Sequence, residues 1–305
     1  MSVVENVIQK MRQEALARAA ASGNTATGAP RAPENLPAAR KSGGEAPRPA
    51  APVVVPERPI FRVDLNALRA GGLLPPQTEE RALAEQLQQV KRPLLANATG
   101  RGAPALASGH LIMVASALPG EGKTFTCINL AMSMAFERDI HVVLVDGDVA
   151  KPNISRVLGL GAHPGLIDAL RDPNLDVESL VLPTDIPGLS VLPAGQPVEH
   201  VTELLASDRM RHITQRISEC DPRRIVVWDS PPLLLTTESV ALAQAVGQVL
   251  LVVHAGRTVH ESVLDAVERL GGKPTSVVLN QCVPLSGEPY RYYGSGPRDS
   301  TTAAP

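Results

Sequence analysis

The sequence predicts an α/β fold: a mostly parallel, doubly wound sheet with helices on both faces. Two observations carry that reading. Six short apolar runs recur between residues 107 and 286, at Leu111–Ser116, Val142–Val145, Leu189–Leu192, Ile225–Trp228, Val249–Val253 and Val277–Leu279. None alternates polar with apolar, so each reads as a strand covered on both sides, and the stretches between them have helical character. The first run leads directly into a glycine-rich turn and then a helix, the order expected where a sheet of this class binds phosphate.

Before the first strand the chain changes character three times. Val4, Ile8, Met11 and Ala15 recur at helical spacing, so residues 1–20 read as a short amphipathic helix, either a frayed tail or a docking helix for a partner or membrane surface. Residues 21–59 are rich in Ala, Pro, Gly and Ser, with eight prolines from Pro30 to Pro59. That composition cannot bury enough apolar surface to offset chain entropy and reads as a disordered linker. Residues 60–76 carry scattered apolar side chains, a short docking segment, and complete a linker region of 21–76. A helix is expected from about Glu79 to Val90, with Pro93 ending it. The catalytic unit is then expected over residues 77–286, with a flexible tail over 287–305.

Composition narrows the function. The chain has 305 residues, with 29 Lys+Arg against 31 Asp+Glu. Nucleic-acid binding normally needs a basic surplus, so nucleic acid is not an expected partner. No apolar run reaches the 18 or so residues of a membrane span, and the first residues lack a secretory signal. Cys127, Cys220 and Cys282 have no metal-ligand or disulfide spacing, which fits a reduced cytoplasmic setting. Aromatics are scarce, at one Trp, three Phe and three Tyr. All three tyrosines (Tyr290, Tyr292 and Tyr293) fall within four residues near the C-terminus.

Three strand ends carry chemistry. The first leads into Ala117-Leu118-Pro119-Gly120-Glu121-Gly122-Lys123-Thr124, the G-x-x-x-x-G-K-[ST] phosphate loop with Ala at its first position. Gly120 and Gly122 let backbone N–H groups curl round phosphate oxygens. Lys123 would reach the β- and γ-phosphates, and Thr124 would offer its hydroxyl to Mg²⁺. The helix from about Thr124 to Phe136 would point its positive end at the phosphates, with Phe125 in its first turn. The second strand delivers Asp146-Gly147-Asp148, read either as a solvated turn or as Mg²⁺ binding and proton abstraction. The fourth run ends in Asp229-Ser230-Pro231-Pro232, where Asp229 is either a helix cap or a carboxylate that holds Mg²⁺. Asn280 closes the last run, either as a turn residue or against an adenine edge.

Together these residues resemble the bacterial tyrosine kinases of the polysaccharide-export type. Ala117–Thr124 corresponds to the Walker A loop, Leu144–Asp148 to the second Walker-type motif, and Asp229–Pro232 to the Walker B strand end, before a tyrosine-rich tail. The order is most similar to the cytoplasmic autokinases of exosortase and exopolysaccharide gene clusters. Two features depart from the family pattern. The family's D-x-D is usually followed by Arg, whereas here Lys151 stands three residues after Asp148, and the ring-assembly motif E-x-x-R-x-x-R is matched only by Glu85, Gln88 and Lys91, without either arginine.

The resemblance implies a P-loop NTPase-like fold, ATP and Mg²⁺ as cofactors, and tyrosine autophosphorylation, mostly in trans within a homo-oligomer. Lys123, Asp146, Asp148 and Asp229 become the catalytic set, with Asp146 as base and Thr124, Asp148 and Asp229 around the metal. Pro119, Gly120, Glu121, Gly122, Lys123, Thr124, Phe125 and Asn280 become the ATP contacts, and Tyr290, Tyr292 and Tyr293 the acceptors. It further implies a membrane polysaccharide co-polymerase (chain-length determinant) as activator, which would hold the chain at the inner face of the membrane, and a cognate phosphotyrosine phosphatase. The alternatives are a non-kinase ATPase switch of the cell-division and partition type, which usually carries a further loop lysine absent here, and a weakly catalytic regulatory module.

Overall fold

A computed structural model describes residues 59–282, apart from Ala103 and His200, together with Gln9 and Gln13. The expected helix over residues 1–20 and the tyrosine tail otherwise lie outside the described residues. Described helices and strands follow in chain order as α1 (Leu65–Ala70), α2 (Glu80–Thr99), β1 (Leu111–Ser116), α3 (Lys123–Ala135), β2 (His141–Asp146), α4 (Asn153–Val157) and α5 (Leu166–Arg171). After a 3-10 turn at Val177–Leu180 come β3 (Leu182–Pro183), β4 (Leu189–Leu192), α6 (Val201–Leu205), α7 (Asp208–Glu219) and β5 (Arg224–Asp229). The series closes with α8 (Glu238–Ala245), β6 (Gln248–His254), α9 (His260–Arg269) and β7 (Thr275–Asn280).

The strands form one sheet in the order β3-β4-β2-β5-β1-β6-β7. Every pair is parallel except β3 with β4. All six expected runs are strands, and the two-residue β3 is the strand the apolar pattern left out; it is too short to carry a periodic signal. Strand residues divide alternately between two cores. Met113 and Ala115 face the side covered by α5, α7, α8 and α9. Ile112 and Val114 face the side covered by α1 through α4. The sheet is therefore doubly wound, as the unbroken apolar runs require.

The helix before the core corrects one expectation. Pro93 lies inside α2, which continues to Thr99 and ends at Gly100 in the left-handed conformation. A proline in a helix interior costs a backbone hydrogen bond. Here Leu87, Lys91 and Leu94 are buried on the far side of that cost, and Leu94 is fully enclosed. Lys91 donates from Nζ to Ser133 O at 2.9 Å and pairs with Glu137 at 2.7 Å. The last position of the degenerate assembly motif is thus turned inward, while Glu85 and Gln88 are exposed.

Residues 60–76, read as a docking segment, dock on this same unit. Phe61 N donates to Pro183 O at 2.8 Å, and Asp185 N donates to Phe61 O at 3.0 Å, extending the sheet beside β3. Val63, Leu68, Leu73 and Leu74 are buried in the core beneath α2 and α3. The opposite edge differs. In β7, Val278 packs inward while Val277 and Leu279 are exposed, so this run is covered on one face only.

The α2 packing gives a direct test. Leu94→Ala should lower the free energy of unfolding by about 2–5 kcal/mol, from lost transfer energy and a residual cavity. Leu264→Ala on the exposed side of α9 should change it by less than about 0.5 kcal/mol. Chemical denaturation of both variants checks the contrast.

Candidate active site

The phosphate loop is held from three sides. Ser116 Oγ donates to Leu118 O at 2.9 Å, fixing the turn out of β1. The Glu121 side chain folds back into the loop, where it accepts from Leu118 N at 2.7 Å and from the Thr258 hydroxyl. It is buried, so its carboxylate braces the loop and does not line an open face. From the end of β7, Asn280 Nδ2 donates to Glu121 O at 2.9 Å and Gln281 Nε2 donates to Gly120 O at 3.2 Å. Gln281 adopts a φ of 56°, in the left-handed region that non-glycine residues seldom enter.

Gly122 is required twice over. It caps α3 at a φ of 90°, and a Cβ there would lie 2.1 Å from Asn280 Nδ2. Having no side chain, it gives α3 no capping acceptor. The first N–H groups of a helix have no intrahelical partners, so this end of α3 presents donors and a positive dipole end to an anion. Pro119 and Gly120 form the exposed lip of the loop, and Phe125 is half-buried behind it.

The carboxylates converge through strand register. Asp146 at the end of β2 pairs directly with Asp229 at the end of β5. The next residue seals the arrangement, because Gly147 N donates to Asp229 O at 2.9 Å and a Cβ at Gly147 would approach that oxygen to 2.5 Å. Thr124 Oγ1 donates to Asp229 Oδ2 at 2.8 Å, joining the first turn of α3 to the β5 carboxylate. Lys123 Nζ lies 3.3 Å from Asp148 Oδ2. Asp146 Oδ2 accepts from both the N–H and the hydroxyl of Ser155, each at 2.7 Å. All four expected catalytic residues therefore meet at the carboxyl ends of β1, β2 and β5.

The buried oxygens Asp146 Oδ1 and Asp229 Oδ1 have no hydrogen-bond partner among the described residues. Burial pushes the Asp146 carboxyl up to about 7, against the Ser155 hydrogen bonds and with help from the Asp229 charge. Burial likewise pushes Asp229 up to about 6, against the opposing pull of Lys123 and Thr124. The Asp229 carboxylate with its unpartnered oxygen, the Thr124 hydroxyl and the Asp148 carboxylate, beside a helix N-terminus, form an oxygen-rich donor set of the kind a hard divalent cation takes. The residues fit Mg²⁺ with a nucleotide phosphate. Sequence reasoning did not find Ser155, Thr258 or Gln281: all three act through contacts with residues distant in the chain, and no local spacing announces them. Tyr290, Tyr292 and Tyr293 lie outside the described residues.

The raised carboxyl gives a signed pH dependence. The folded state holds the Asp146 proton more tightly than an ordinary aspartate does, its pKa moving from 3.8 to about 7. The associated stability is present below the unfolded value and is lost as pH rises through about 7. Asp146→Asn removes that titration. In metal-free buffer the stability of the variant relative to the parent should rise by roughly 2 kcal/mol between pH 5 and 7, at about 1.4 kcal/mol per pH unit. Denaturant unfolding at a series of pH values reads it; a difference that stays flat with pH contradicts it.

Comparison with known proteins points to the same fold. Residues 108–246 match the ParA family model, described as NUBPL iron-transfer P-loop NTPase. The tyrosine-protein kinase ptk of Acinetobacter johnsonii is 29% identical over 177 residues, 57% of this chain and 24% of that protein. Tyrosine-protein kinase YwqD of Bacillus subtilis is 29% identical over 187 residues, 60% of this chain and 77% of that protein. The chain thus spans about a quarter of the Acinetobacter relative and about three quarters of the Bacillus one. Among solved structures, the VpsO kinase domain superposes with a TM-score of 0.56 at 28% identity, covering 68% of this chain and 99% of that one. The kinase domain of Escherichia coli tyrosine kinase ETK gives 0.53 at 25% identity, covering 60% and 71%. By sequence and by its P-loop NTPase-like fold, the chain is related to the bacterial tyrosine-protein kinases.

Proposed function

We propose that the chain is an ATP-dependent protein-tyrosine autokinase that phosphorylates Tyr290, Tyr292 and Tyr293, in trans between neighbouring subunits, and so regulates exopolysaccharide polymerisation or export. The observation that carries this reading is the meeting of Thr124 with Asp229 and of Asp146 with the end of the same strand pair, beside the phosphate loop. Relatives named tyrosine-protein kinases support the reaction class.

Each residue then has a task. The N–H groups at the start of α3 and the Lys123 ammonium bind the phosphates of ATP. Lys123 neutralises charge on the phosphoryl group in transfer. Thr124, Asp148 and Asp229 would hold Mg²⁺, which supplies further charge neutralisation when bound. Asn280 would meet an adenine edge through its amide oxygen, since its Nδ2 is committed to Glu121 O. A tyrosine hydroxyl has a pKa near 10 and needs a base at neutral pH. Asp146 takes that proton, the phenol oxygen bonds to the γ-phosphorus, the bond from that phosphorus to the β,γ-bridging oxygen breaks, and ADP leaves.

Three phosphates would add roughly −5 of charge to the tail at −1.5 to −2 each, more than the whole chain's present net of −2. Repulsion from the acidic site then favours tail release and a change in assembly. A membrane polysaccharide co-polymerase as activator and a phosphotyrosine phosphatase as antagonist complete the proposal, with the chain peripheral at the inner face of the membrane.

The ParA match favours one rival, a nucleotide switch that hydrolyses ATP without a protein acceptor. Incubating the full chain with Mg-ATP and mapping phosphate by mass spectrometry separates the two. The kinase reading expects phosphotyrosine at 290, 292 and 293, at least a hundredfold less with Lys123→Met, and none at those positions in the triple Tyr→Phe variant. ATP hydrolysis with no phosphotyrosine would support the switch instead. Phosphorylated and tail-deleted chains of identical oligomeric state would remove the assembly step.

A further inference from the structure

Asp146 is held by a residue that the catalytic set does not include. Ser155, almost fully buried in the short helix α4, donates to Asp146 Oδ2 twice, from its N–H and from its hydroxyl, each at 2.7 Å. A hydroxyl has one proton to give, and its oxygen can still accept. The Ser155 oxygen accepts from Ala194 N at 3.0 Å, just beyond the end of β4. The hydroxyl is therefore oriented from both ends, by an acceptor on β2 and a donor after β4.

That donor is rigidly placed. Leu166 N donates to Pro193 O and Ile167 N donates to Ala194 O, both at 2.9 Å, fastening the start of α5 to the β4 exit. Asp168 Oδ2 accepts from Gly165 N at 2.8 Å and from Gln196 N at 3.2 Å, closing the turn from its other side. Gly165 fits only because it has no side chain, since a Cβ there would lie 2.1 Å from Pro193 O. Such a turn has little freedom to follow a moving serine. The chain of contacts runs from α5 to the β4 exit, to Ser155, to one oxygen of Asp146. The other oxygen, Oδ1, is left without a partner.

We propose that Ser155 is the positioning residue for Asp146: it immobilises Oδ2 and so fixes the orientation of the carboxylate that takes the acceptor's proton. The assignment rests on the kinase reading above. Ser155 touches neither the nucleotide-binding loop nor the lysine in the contacts described, so its effect should fall on the transfer step and spare nucleotide binding. A misaimed base costs rate because proton transfer demands hydrogen-bond reach and alignment.

The test uses the full chain with Mg-ATP. Phosphotyrosine formation gives kcat and the KM for ATP, and a fluorescent ATP analogue gives nucleotide affinity. Ser155→Ala should lower kcat about 10- to 100-fold, the range seen when outer hydrogen-bond partners of site ligands are removed, with KM and nucleotide affinity within about twofold. Ser155→Thr keeps the hydroxyl and should restore kcat to within about threefold of the parent. Should Ser155→Ala melt too early to assay, Ser155→Cys keeps the volume with a weak donor, and the same kcat loss relative to Ser155→Thr is expected. A parental kcat in Ser155→Ala or Ser155→Cys overturns the assignment, as does a loss of nucleotide affinity that accounts for the lost rate. Absence of phosphotyrosine from the parent chain is the separate failure of the kinase reading, and the assignment falls with it.

Discussion

Asp146 and Asp229 end adjacent parallel strands in direct register, and both are buried. Two carboxylates so placed repel each other and have lost most of their hydration, a combination a fold tolerates only with compensating donors. Each receives a hydroxyl on one oxygen, Asp229 from Thr124 and Asp146 from Ser155. Those two donors come from the helices that follow β1 and β2, so both crossovers are anchored at the acidic pair. Gly147 lets the β2 exit pass within hydrogen-bond distance of the β5 backbone. The loop, the short α4 and the D-G-D turn are arranged around this pair, whose remaining oxygens are buried and have no partner among the described residues.

Much of this was legible in the chain. Strand identity was, because a sheet covered on both faces forces unbroken apolar runs, and the runs at 111–116 and 189–192 coincide with β1 and β4. The phosphate loop and the two acidic strand ends were, because their residue types serve one chemistry at short spacing. What escaped was set by distant contacts. Pro93 reads locally as a helix end, yet Leu94 and Lys91 beyond and before it are buried against α3, and packing prevails over propensity. Glu121 reads as one more loop position, but its carboxylate is spent on Leu118 N and Thr258. Ser155 carries no motif at all; its role appears only when β4 is brought beside β2.

The brace on the phosphate loop shows how the unit is closed. Thr258 from the turn before α9, and Asn280 and Gln281 from the end of β7, all hold the loop that leaves β1. The central strand's exit is thus stabilised by segments about 140 to 160 residues downstream. A loop gripped through its own carbonyl oxygens keeps its N–H groups pointed the other way, toward an anion, without a ligand to order it.

The grip by Gln281 also fixes a starting point for everything that follows it. Eight residues, nine Cα-to-Cα steps, separate Gln281 from Tyr290. At full extension they span no more than about 30 Å. A tyrosine confined within about that distance of its own phosphate loop is at an effective concentration of roughly millimolar order. A second molecule in dilute solution would have to compete with that local supply. For phosphate to pass between subunits, the neighbour must present its tail at a comparable local concentration, which demands a standing assembly and not a passing collision.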